Sequence, residues 1–474
     1  MTGRRLIGWT IALVFVLAVQ AGCPERPTDI EDQSLEETST APPPLKVLIV
    51  DTPGIDNEIK RQWSARRDGQ LETQQATWDE VAADEFSLVD QYDVVIYPGG
   101  LLGEFVSRKK LVQVPGTIWE AELLNKREIL RLPRTSLVRF GQDIWGMPLG
   151  SPQFCLFYRR DLLESTDTSL PSTWPAFVEL VAESETPEEA ADSVSTIRLP
   201  LQDDWAARCL LAFAASRVKH RGKVSSVFDL DSMEPLIDHP PFVDALDELR
   251  RIADPADLQR TPESIYADLV AGKTTFGVTW PSAAFDIGES KTNVDLAMAQ
   301  LPGTNEWFDF DEKQFSQRED RRANQVVLVG FNARMVSVSA GTSKQEAAFE
   351  LATWLASKQI SQLIVPRTPS AAPFRASHLG GIARWTGDGI SPDTQEAYAD
   401  LLRETDQSMT TLLVPRIPGY DEYLGALAAA VHTALTSDEE SAALLTQVAE
   451  QWREITERLG KEDQRRWLRR SEGF

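Results

Sequence analysis

Tryptophan beside a carboxylate or an amide is the combination in this chain that points most directly to chemistry. There are 13 tryptophans. Trp205 follows Gln202, Asp203 and Asp204 directly, and Trp280 closes an apolar run at 275–278 before Pro281 and Ser282. An aromatic face next to an acid grips a polyhydroxylated ligand, with the sugar-like C–H face on the ring and the hydroxyls on the polar group. Half-buried packing against a core is the other use of the same residues. Competing chemistries find little in the spacing. Gly99-Gly100-Leu101-Leu102-Gly103 has neither the order of a dinucleotide fingerprint nor the Lys-Ser/Thr of a phosphate loop. Asp229, Asp231 and Glu234, like Asp309, Asp311 and Glu312, lack the glycine and the closing glutamate of a calcium loop. His220, His239, His378 and His432 are scattered, and no Gly-x-Ser-x-Gly elbow accompanies them. Carboxylate pairs for glycoside hydrolysis are too common in an acidic chain to carry specificity. No metal and no cofactor is expected.

These residues need elements to hold them. Residues 45–50 (LKVLIV) read as a buried strand that ends at Asp51-Thr52-Pro53-Gly54, residues 55–67 as a helix, and 71–77 and 93–97 as further strands, the last entering Pro98-Gly99-Gly100. That alternation predicts an α/β body with a mostly parallel sheet. Ligands bind beyond the carboxyl ends of such strands, which singles out the loops at Asp51 and at Gly99 and Gly100. The stretch 155–320 reads as helix-rich, with Thr173 capping a helix and Pro175 in its first turn. Strand patterns return at 326–329 and 335–338. Ser343 with Glu346, and Ser437 with Glu440, read as capping boxes ahead of amphipathic helices.

Length and charge bound the rest. A chain of 474 residues exceeds one ordinary core, and 48 Lys and Arg against 72 Asp and Glu give a net charge of −24, which repels a nucleic-acid backbone. Arg4 and Arg5 precede an apolar run at 6–19 that is shorter than the roughly 20 residues of a membrane span, followed by Ala21, Gly22 and Cys23. This is the layout of an export signal at 1–22. Val19-Gln20-Ala21-Gly22-Cys23 resembles a bacterial lipobox, with Gln20 where leucine is usual, and the resemblance implies a lipid anchor on Cys23. Residues 23–44, rich in Glu, Thr, Ser and Pro, then form a disordered spacer. Export leaves Cys155 and Cys209 open to a disulfide, or buried as free thiols.

Several segments, in order, resemble the family 1 extracellular solute-binding proteins, the receptors of ABC importers. Ile144-Trp145-Gly146-Met147-Pro148-Leu149 leading to Leu156-Phe157-Tyr158-Arg159-Arg160-Asp161-Leu162-Leu163 is similar to their hinge-crossing stretch, with Arg159 in place of the usual asparagine. Pro171-Ser172-Thr173-Trp174, the segments 266–280 and 346–360, Leu301-Pro302-Gly303 and Val414-Pro415-Arg416-Ile417-Pro418 follow in family order. The resemblance implies a bilobal periplasmic-binding-protein-like fold of type II. It puts lobe one at 45–153 plus 326–365 and lobe two at 154–325 plus 366–474, joined by a hinge. Leu201-Gln202-Asp203-Asp204-Trp205 resembles a maltodextrin-receptor stretch, which implies Asp203 as hydroxyl acceptor and Trp205 and Trp280 as stacking rings. Gln153 takes a hinge position, Asp51 the first strand's loop, and Tyr420 and Tyr423 the helix after the last prolines. The implied function is capture of a sugar-like solute, without catalysis, by a monomer that delivers it to an ABC permease. A sensor or envelope interaction partner on the same scaffold, or a secreted glycoside hydrolase, is the alternative.

Overall fold

Val47, Leu48, Ile49 and Val50 are wholly buried, and a run that is apolar on both faces makes a strand covered on both sides. In the computed structural model, which describes residues 44–66, 70–184, 195–220, 225, 227–288, 294–318, 322–370 and 372–474, the strand Leu45–Val50 lies parallel to Leu71–Ala76 and to Val94–Pro98, with Val47 opposite Val94. Arg334–Val338 joins antiparallel to Val94–Pro98, and Met147–Pro148 forms the edge beyond it. A second sheet runs in the order Leu296–Gln300, Cys155–Arg159, Thr274–Thr279, Ser195–Arg198, with only the last pairing parallel. The three strands read from alternation therefore do pair parallel, while the strands added to the first sheet later in the chain, and most of the second sheet, pair antiparallel. A strand that returns from the other lobe is not bound by the right-handed crossover that makes consecutive strands parallel. The export signal, Gln20, Cys23 and nearly all of the spacer lie outside the described residues.

Each sheet has its own core. One runs from Leu45 to Leu149 and again from Met335 to Phe374. The other runs from Phe154 to Phe331 and collects most of the chain from Leu379 to Leu468. Val326 and Leu328 pack in this second core, and the strand Val327–Val329 pairs with Thr411–Leu413. The return crossing thus falls between Phe331 and Met335, beyond residue 326 where the sequence put it. At the centre of the second core the helix Trp205–Val218 buries twelve of its fourteen residues; buried nearly all round, it is an interior helix. It carries Trp205 at its outer end.

Three caps differ from expectation. Thr173 precedes the helix Trp174–Glu183 but makes no side-chain cap bond, its backbone bridging to Gly303 instead. The helix Gln345–Ala356 starts behind Lys344, whose N–H is taken by Thr342 and not by Ser343. Ser437 closes the helix Tyr420–Thr436, and Ser441–Leu459 begins only after Glu440. A Ser three residues before Glu occurs equally where one helix ends just before the next. Cys155 and Cys209 are free, buried thiols in the second core, both pushed up by burial, so the disulfide does not form.

Candidate functional site

Asp51 leaves the first sheet with a φ of 42°, a conformation costly for a residue with a Cβ and therefore held by its surroundings. Arg334 Nη2 donates to the Asp51 carbonyl at 2.9 Å, and the Trp78 backbone N–H to its carboxylate at 3.2 Å. Burial raises the Asp51 carboxyl above its ordinary value, against the pull of Arg334. Asp79 and Asp204 also push it up. Asp204 belongs to the second lobe, at the entry of the helix Trp205–Val218, so the lobes face each other at this point. Fully buried Arg334 is pulled down to about 9 by loss of water, with Asp51 opposing and the second-lobe Arg208 reinforcing the shift.

Arg208 pairs with Asp204 at 2.7 Å and lies 4.8 Å over the Trp205 ring. Behind Trp205 stand Trp280, Phe154 and Phe331, with centroids 5.6, 6.2 and 6.2 Å from it, and Phe154 stacks on Phe331 at 4.5 Å. From the opposite side Tyr420 closes on Gly100, where a Cβ would lie 3.0 Å from its ring. Burial pushes the Tyr420 hydroxyl up to about 12, against the pull of Arg208. Trp78 Nε1 donates to Asp421 at 3.1 Å, tying a helix of the first core to one of the second. The resulting surface is an aromatic floor beside one Arg–Asp ion pair, Arg208–Asp204, and the Arg334 bond to the Asp51 carbonyl, suited to hydroxyl recognition. Among the described residues, no group of three or more His, Cys, Asp or Glu could hold a metal.

Of the residues singled out by sequence, the fold thus gathers Asp51, Gly100, Trp205 and Tyr420, with Trp280 behind them. Trp280 is 1% exposed and donates Nε1 to the Pro369 carbonyl at 3.1 Å, so its ring serves as floor. Asp203 is exposed, also at positive φ, and accepts from Gln202; the neighbouring Asp204 is the one that meets Arg208. Gly99 is buried against Ala333, whose carbonyl takes its N–H. Gln153 is buried on a narrow crevice with Leu130, Pro373 and Asp406, its Nε2 unpartnered. Tyr423 is turned away altogether, packed between Phe228 and Trp452 with its hydroxyl on Thr456 at 2.9 Å. Arg334, Arg208 and Trp78 escaped sequence reasoning, and Asp204, noted beside Trp205, was passed over for Asp203. Arg334 left a trace as a charged residue within the apolar stretch 326–338.

A family model described as bacterial extracellular solute-binding protein matches residues 65–361. This chain belongs to that family. Solved structures agree on the fold of this solute-binding protein. An ABC transporter solute-binding protein from Agrobacterium radiobacter in complex with ribitol shares 15% identity at TM-score 0.66, over 87% of this chain and 98% of its own. Maltose-bound MalE3 of T. maritima shares 18% at TM-score 0.64, over 87% and 100%. The sugar-binding protein MalE from Xanthomonas citri shares 13% at TM-score 0.65, over 88% and 98%. Curated proteins give no match. Among the described residues no helix of the solute-binding protein is long and apolar enough to cross a membrane.

Proposed function

We propose that this solute-binding protein captures a sugar, polyol or oligosaccharide between its two lobes and delivers it to an ABC importer, without making or breaking a bond. The observation that carries the reading is the half-buried Trp205 ring beside the Asp204–Arg208 pair, a pair that faces Asp51 and Arg334 of the other lobe. A ring of that exposure leaves a face for a sugar, and charge-fixed donors and acceptors around it orient hydroxyls. The ribitol, maltose and other sugar complexes of structurally similar proteins support the same class. Export behind the signal at 1–22, a lipid anchor on Cys23 and a monomeric state complete the proposal.

A thermal-shift screen of the purified chain against mono- and oligosaccharides, polyols, sugar phosphates, amino acids and polyamines tests it. A ligand at about a hundred times its Kd adds roughly 2.7 kcal/mol to the native state, enough to raise the Tm by a degree or more. A shift confined to sugars or polyols, with no product after incubation, is the expected result. A shift only with amino acids or polyamines overturns the solute class, and product formation overturns the absence of catalysis.

A further inference from the structure

We propose that this protein carries a second ligand site, for a small oxyanion, in a cavity of about 580 Å3 bounded by the hairpin 139–144, the end of the helix Trp205–Val218 and the C-terminal residues 471–473. Trp205 and Lys219 stand at opposite ends of that helix, so the cavity lies roughly 20 Å from the aromatic floor at 1.5 Å of rise per residue. It is a separate site.

Its wall is cationic in a chain of net charge −24. Arg139, Lys219 and Arg416 line it against a single carboxylate, Glu472. Arg416 is 1% exposed and spends its Nη groups on backbone carbonyls alone, those of Ser136, Leu137 and Ser471 at 3.0, 2.7 and 2.9 Å. Its Nε is buried without a partner. A guanidinium satisfied by carbonyls keeps its full charge, and burying that charge is costly until an anion compensates it. The nearest candidate within the protein does so only in part. Burial pushes Glu472 up to about 7, against Lys219 and Arg416, which weakens its negative charge near neutral pH. Burial in turn pushes the Lys219 ammonium down, with Glu472 opposing. Arg470, in the last turn of the helix that ends just before Glu472, is taken by Asp143 at 3.6 Å. The hydroxyls of Ser136 and Thr411 add donors for an oxyanion at the same wall.

The probe is inorganic sulfate, whose charge is constant between pH 6 and 8, titrated calorimetrically into the purified full chain. Saturable binding is expected at pH 6. It should weaken as the pH rises through 7, because ionised Glu472 repels the anion. His220 lines the same cavity and histidine also changes charge in this range, so Glu472→Gln separates the two: the pH dependence should flatten in that variant. Lys219→Gln and, independently, Arg139→Gln should each weaken sulfate about tenfold, the scale of one charge-assisted hydrogen bond. Sulfate that fails to saturate at pH 6 overturns the site, as does undiminished binding in both cation variants.

Discussion

Trp205 and Trp280 look alike in sequence, yet one is half-buried and the other 1% exposed. Trp205→Ala should weaken solute binding by more than about 1 kcal/mol, as an interface aromatic does, at modest cost in stability. Trp280→Ala should instead cost about 3–5 kcal/mol of unfolding free energy, the range for emptying a large core site. Titration and denaturant unfolding of both variants check this; the reverse ranking would make Trp280 the ligand's ring. A second residue sets a pH limit. His378 is 2% exposed, with Nε2 on the Ser361 hydroxyl at 3.2 Å and Nδ1 near the Phe374 N–H at 3.4 Å, which suits the neutral ring. Burial, with Arg375, Lys358 and Arg384 nearby, lowers it to about 3. Between pH 6.5 and 3 the unfolded chain therefore binds a proton that the folded chain refuses, and stability falls as pH falls. From pH 7 to pH 5 the natural chain should lose about 2 kcal/mol more than His378→Gln does. Equal losses in unfolding titrations would mean that the folded state does accept the proton.

The short helix Leu102–Ser107 shows how an element is locked in place. Its Gly103 lies so close to the loop 415–418 that a Cβ would come 1.8 Å from the Arg416 carbonyl, and Glu104 accepts the Gly419 N–H at 3.1 Å. The same loop leads into Tyr420 and so sets that ring over Gly100. Gly103→Ala should cost about 1–3 kcal/mol by overpacking, whereas Gly116→Ala, with nothing within 4 Å of the added carbon, should be close to neutral. Thermal unfolding distinguishes them, and a neutral Gly103→Ala would show that the loop yields freely. Element reading from sequence succeeded where burial was two-sided, as at Leu45–Val50 and Val94–Pro98. It misplaced the starts of Gln345–Ala356 and Ser441–Leu459, because a Ser and a Glu three apart do not reveal which backbone N–H is left open.

Across the whole molecule, the Trp78–Asp421 bond is a direct tie between the two cores. Trp78→Phe keeps the edge-on packing against Phe86 and Phe105 but deletes the donor. Solute affinity should drop by about 1 kcal/mol, the net value of one such hydrogen bond, because a ligand gripped by both lobes favours the joined arrangement over the parted one. Unaltered affinity by titration would show that the tie contributes nothing to closure. By itself the sequence determined most of the α/β elements, which follow from burial periodicity within a few residues, and the family, which follows from the order of motifs along the chain; it also pointed to the loops at Asp51 and Gly100 and to the ring at 205. Only the tertiary structure decided that the Asp204–Arg208 pair faces Asp51 and Arg334, that Tyr420 faces Gly100 while Tyr423 enters the core, that Trp280 is floor, and that the two cysteines stay apart. Those outcomes depend on the direction in which each helix enters its lobe. Successive residues on a helix point about 100° apart, and the entry angle is set by packing against segments hundreds of positions away.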